Sequence, residues 1–201
     1  MIIAALLIAI QIPAQDPRLA RLDPDTRARV VALVDSARGL GLPAEPLVER
    51  ALEGATKGAP SDRIVLAVRR LAADLGTARD ALGTRSTPPE LEAAVAALRA
   101  GASPQLLAKL RATRRPPLTM ALAVLADLVA SGVPADSAAA AVLALAPNAR
   151  DADLVEFRRA VERDIALGAP PSAATSIRVN AGALNATGGG PAGQPPRPTR
   201  P

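Results

Sequence analysis

A chain of 201 residues with 49% hydrophobic and 21% charged side chains is long enough to bury a core, and its net charge of +5 is modest. It contains no His and no Cys, which removes the imidazole base, the thiolate nucleophile, the disulfide and the usual zinc and iron–sulfur sites. Phe157 is its one aromatic residue, so it has almost no flat face on which to hold a sugar or an unpaired base.

The N-terminus reads as an address. Ile2 to Ile10 is an unbroken apolar run, followed by Gln11-Ile12-Pro13-Ala14. An apolar core, a helix-breaking Pro and a small residue before a cleavage point are the parts of a signal peptide. As a helix the run would span only ~14 Å, against ~30 Å for a bilayer core. We therefore expect residues 1–14 to be a signal peptide cut after Ala14. Two features depart from the pattern: no Lys or Arg precedes the run, and Ile12 is larger than the usual small residue. Residues 15–22 are expected to be a linker. Lys stands only at Lys57 and Lys109, every other basic residue being Arg. With the abundant Ala, Pro and Gly, this is the writing of a GC-rich, bacterial-style genome, and the expected destination is periplasmic or secreted. Without Cys there is no site for an N-terminal lipid anchor.

From Asp23 the chain is punctuated as helices. Asp23-Pro24 is an N-cap followed by Pro at the first helical position, and Val30, Leu33, Val34 and Ala37 fall on one face. Ser61-Asp62 opens a longer helix with Ile64, Val68, Leu71 and Leu75 in a stripe at helical spacing. Thr87-Pro88-Pro89-Glu90 is a capping box before Leu91, Ala94, Val95 and Leu98. Ser103-Pro104 starts a helix with Leu106, Leu107 and Leu110. Leu118 to Ala130 and Ala138 to Ala146 are apolar almost throughout, which predicts two helices buried on all sides. The last helix is predicted over Asp151–Leu167, with Leu154, Phe157, Val161 and Ile165 inward. Sustained period-two alternation is missing, so no strand is predicted.

One turn recurs: Gly41-Leu42-Pro43, Gly58-Ala59-Pro60, Gly132-Val133-Pro134 and Gly168-Ala169-Pro170, with Gly101-Ala102-Ser103-Pro104 as a looser copy. Such a triplet predicts a helix stop, with Gly in the left-handed conformation and Pro forbidding continuation. The expected fold is all-α: about seven to eight short antiparallel helices over residues 23–168, in a degenerate helical-hairpin repeat or an irregular bundle. Residues 169–201 are rich in Pro, Gly, Ala and Thr and are expected to form a disordered tail. Arg178, Arg197 and Arg200 follow the last acid, Asp164, and give that tail a basic character.

Candidate chemistry is thin. Asp23/Asp25 and Asp151/Asp153 stand where acids cap helices. Asp127, in an apolar helix, is expected to stand at the rim or to pair with an Arg, ahead of any catalytic role. The doublets Arg69-Arg70, Arg114-Arg115 and Arg158-Arg159 read as solvent-facing edges. Glu49, Glu53, Glu90 and Glu92 supply carboxylates, but no spacing brings two of them together. No catalytic, cofactor-binding or metal residue is assigned. The expected function is an exported, non-enzymatic helical protein that binds a protein partner or scaffolds the envelope, through a groove between helices. The alternatives are a binder of anionic polymer or lipid through Arg-rich surfaces and tail, and a carboxylate-dependent hydrolase. Neither a specific nucleic-acid partner nor a membrane span of the mature chain is expected.

Overall fold

The computed structural model describes residues 16–187, and within them it is all-α, with no strand. The predicted signal peptide and residues 188–201 lie outside the described residues. A 3-10 helix, Pro17–Arg21, precedes nine α-helices: α1 Pro24–Gly39, α2 Glu45–Thr56, α3 Ser61–Leu82, α4 Pro88–Arg99, α5 Pro104–Thr113, α6 Thr119–Ala130, α7 Ala135–Leu145, α8 Asp151–Ala166 and α9 Pro171–Thr187. The helical body expected as one domain falls into two compact units, Met1–Ala73 and Asp74–Pro201, with α3 continuous through the division.

All five recurrent turns are helix stops of one geometry. Gly41, Gly58, Gly101, Gly132 and Gly168 have φ of 70°, 64°, 108°, 89° and 98°. In each, the glycine N–H and the next N–H donate back to two carbonyls of the last helical turn, the paired bonds of a Schellman motif. At the end of α6 these are Gly132 N–H to Val129 O (2.9 Å) and Val133 N–H to Leu128 O (3.0 Å). Val133 and Leu128 are both buried, which adds the apolar contact that accompanies the motif.

In the first unit, α1 packs on α2, and the 3-10 helix lies against both. Within the stretch 15–22, expected to be a linker, residues 16–22 are therefore structured. Asp16 accepts from Arg18 N–H (2.9 Å) ahead of Pro17, the same cap-and-proline signal that starts α1. Leu19 and Leu22, three apart, are buried. Arg18 then fastens the segment to α2, donating to Asp16 and to both oxygens of Glu45 (2.8 Å each). Asp23 caps α1 through Thr26 N–H (3.0 Å) and accepts from the Ser61 hydroxyl (3.1 Å) at the start of α3.

In the second unit α6 is the hub, packed against α4, α7 and α8. Ala121, Leu122, Val124, Leu125 and Leu128 bury one side of it, while Met120, Ala123, Ala126 and Val129 are half-buried, so α6 is not enclosed on every side. α7 also differs from expectation. Ala138, Ala141 and Val142 are buried, but Ala140 and Ala144 are exposed, so it is not enclosed on every side. Alanine is small enough to tolerate either environment, and a run of it cannot say how many neighbours the helix has.

The tail, expected from residue 169, begins with structure. α9 starts at Pro171 and packs on α7 and α8, with Ala174 and Thr175 buried. Arg178 donates to both oxygens of Asp164 on α8 (2.7 Å each), so one of the three charges expected on a free tail is instead paired across two helices, Arg197 and Arg200 lying outside the described residues. Small and hydroxylated residues supply this contact, which is why composition concealed it.

Candidate functional site

The carboxylates of the chain serve mainly as structural acceptors. Asp127 on α6 takes a bond from Arg158 on α8 (2.9 Å), and Arg158 also faces Glu162 at 3.5 Å. Asp25 faces Arg29 at 3.7 Å, and Asp153 accepts from Arg150 at the start of α8 (2.8 Å from N–H). Glu53 lies between Arg50 and Lys57 (2.9 and 2.5 Å). Glu49 and Glu92 have no ion pair among the described residues, and no group of three or more acids that could hold a metal forms among those residues.

Two carboxylates that the sequence leaves far apart do meet: Asp16 and Glu45, through the guanidinium between them. Hydrogen bonds from the Arg18 side chain and backbone lower the Asp16 pKa to about 2, and Arg18 also draws Glu45 below the usual glutamate value. Both are ionised near neutral pH, so neither holds the proton that a general acid must deliver.

Glu90 is buried, at 3% exposure, and does more than complete a capping box. Its carboxylate accepts from Thr87 N–H (2.9 Å) and the Thr87 hydroxyl (3.1 Å). The other oxygen accepts from Leu118 N–H (2.9 Å), just before α6. Burial pushes its pKa up, but the bonds from the two N–H groups and the hydroxyl outweigh that and leave it below the usual glutamate value. The group is an ionised structural tie.

The Arg doublets divide. Arg69, Arg70, Arg115 and Arg159 are exposed as expected. Arg114 is not a solvent-facing edge: its side chain is 12% exposed and its guanidinium donates to Ala146 O (3.0 Å), Ala149 O (2.5 Å) and Asp151 (2.5 Å). The reason lies in α7, which ends at Ala146-Pro147 without a glycine stop. Its last carbonyls need donors, and the negative end of the helix dipole favours a cation. The missing glycine was the one signal in the sequence that an outside donor was required.

The exposed side of α7 faces a groove. Gly101, Ala102, Ser103, Gln105, Leu106 and Lys109 form one wall, from the α4–α5 turn and α5. Ala135, Asp136, Ala139, Ala140 and Leu143 of α7 form the other, around a volume of about 570 Å³. Small side chains set its width. A Cβ on Gly101 would lie 3.5 Å from that of Ala135, so the turn approaches the start of α7 closely. Leu106 and Leu143 are half-buried, and Lys109 and Asp136 stand exposed at the rim without an ion pair among the described residues. The groove offers apolar contact, two opposite charges and no cluster of catalytic groups.

Comparison with known protein families, with curated proteins and with solved structures finds no match for this chain.

Proposed function

We propose that the protein is an exported, non-enzymatic interaction module whose α5–α7 groove receives a helix of a partner protein in the cell envelope. The observation that carries this reading is the open side of α7. A helix apolar all round belongs inside a protein, yet Ala140 is exposed and lines the groove with Ala139 and Leu143. Local rules tend to fail where function has a claim on the residues. Alanine and glycine walls let a second backbone come close, as in helix-in-groove recognition, while Lys109 and Asp136 select for charge and direction. No described helix is long and apolar enough to cross a membrane, which suits a partner met at the membrane surface or beyond it.

Ala139→Arg puts a long charged side chain into the groove from a half-buried position. The protein is expected to retain a discrete protein from an envelope fraction, and Ala139→Arg to lose it while melting at the wild-type temperature. Capture that survives both Ala139→Arg and Leu106→Glu would refute the groove as the binding site. Export is tested separately. Mass spectrometry of protein purified from its native cells is expected to give a chain starting at Gln15, and an intact Met1 in a cytosolic fraction would overturn the address.

A further inference from the structure

We infer that the outer side of α3 within the first unit is a second interaction surface, made for an acidic segment of a partner protein that carries an apolar side chain between its carboxylates. Arg63, Leu66, Arg69 and Arg70 compose it, and at 100° per residue they fall within about 120° of one another, an arc that also holds Asp62, whose carboxylate is taken by Arg29. Ile64, Val68 and Leu71, on the opposite side, are buried. Leu66 is 42% exposed in a helix that otherwise keeps its large apolar residues inside.

None of the three guanidiniums has an ion pair among the described residues. Most acids of this unit are engaged elsewhere: Asp62, beside Arg63, accepts from Arg29 (2.8 Å), Asp16 and Glu45 from Arg18, and Glu53 from Arg50 and Lys57, while Glu49 on α2 has no ion pair among the described residues. Arg21 and Arg27 also have no ion pair among the described residues, but three of the unit's unpaired guanidiniums gather around one exposed leucine. A solvated face has no use for the leucine, and a core has no use for the arginines.

The spacing specifies the partner. Arg63 and Arg70 are two turns apart, about 10.5 Å along the helix axis. Carboxylates seven residues apart on a partner helix would meet both in the forked geometry that guanidinium favours, with an apolar residue between them on Leu66. Duplex nucleic acid would press phosphates against that leucine, and single strands want aromatic platforms, which these residues do not supply. A bilayer binds interfacial helices through a broad apolar face, and the apolar face of α3 is already buried in the protein.

The test uses the full mature chain and a dye-labelled alanine-based helical peptide with two Glu seven residues apart and Leu midway between them. Fluorescence anisotropy is read at low salt and at about 0.15 M, where charges beyond ~8 Å are screened. The Glu peptide is expected to bind, its Gln counterpart not to, and added salt to weaken the complex. Arg63→Glu with Arg70→Glu should weaken binding at least tenfold and Leu66→Ala several-fold, whereas Arg159→Glu on α8 should leave it unchanged. All substituted residues are exposed, and circular dichroism melts are expected to match the wild type. Binding that is absent, or indifferent to Arg63 and Arg70, overturns the inference. So does sedimentation with phosphatidylglycerol vesicles that depends on those arginines more strongly than the peptide does, since the surface would then serve lipid.

Discussion

Glu90→Leu is expected to lower the stability of the protein by about 2–4 kcal/mol. The substitution strands the buried Leu118 N–H, at about 1–3 kcal/mol, and removes the carboxylate half of the α4 cap, at about 0.5–2 kcal/mol. Glu90→Gln keeps an acceptor for one of the two N–H groups and should fall between. Acid separates the variants further. The folded-state pKa of Glu90 is depressed, so its stabilisation is complete above the unfolded value of roughly 4.3 and fades as pH falls through the folded value. Urea melts at neutral pH and near pH 3 should show the gap between wild type and Glu90→Gln narrowing in acid. A gap that stays constant would mean the carboxylate is not ionised in the folded protein.

That tie also shows where sequence reasoning stopped. Thr87-Pro88-Pro89-Glu90 was legible as a capping box because its partners lie three residues apart. The bond from Leu118, 28 residues on, was not, since no local rule names the acceptor for an N–H at the entry of α6. Arg114 is the same case: the doublet suggested an exposed edge, and only the unfinished end of α7 called for a donor. Helix starts and stops, the inward stripes of α3 and α8, and the central place of α6 follow from patterns within a few residues. The Asp16-Pro17 start and α9 carried the same punctuation, Pro171 following a glycine stop. The first shows only two large apolar residues, Leu19 and Leu22, too short a run to mark a buried face, and the buried residues of α9, Ala174 and Thr175, are small.

The groove was legible only as a kind. Helix-in-groove binding could be expected of any such array, but which helices leave a side uncovered depends on packing. α6 and α7 look alike in sequence, both largely apolar and both ending without a basic residue in the last turn. One became the hub, with Leu122, Leu125 and Leu128 buried along one face. The other is mostly alanine, packs closely on α6 and α9, and keeps a side open toward α5. Bulk distinguishes them, and a scale that scores alanine simply as apolar does not register it.

Gly132→Val is expected to cost roughly 1–2 kcal/mol, because at φ 89° a β-branched side chain meets the neighbouring carbonyl. The loss is conformational and not a matter of room, for a Cβ there would come no closer than 3.7 Å to Pro171 Cγ, an ordinary contact. Gly132→Asn should therefore cost less, since Asn tolerates the left-handed region at similar bulk. Gly76 supplies the control. It lies inside α3 with φ outside the left-handed region and nothing within 4 Å of an added Cβ, so Gly76→Ala should stabilise the helix by about 0.5–1 kcal/mol. The stop after α6 sets the direction in which α7 leaves the hub, and with it one wall of the groove. A destabilised Gly132→Val should thus also bind the groove's partner more weakly than its folded fraction explains, whereas Gly76→Ala should bind normally. If denaturant melts find Val and Asn equally harmless at 132, the paired bonds from Gly132 and Val133 do not need the left-handed residue, and the stop depends on Pro134 alone.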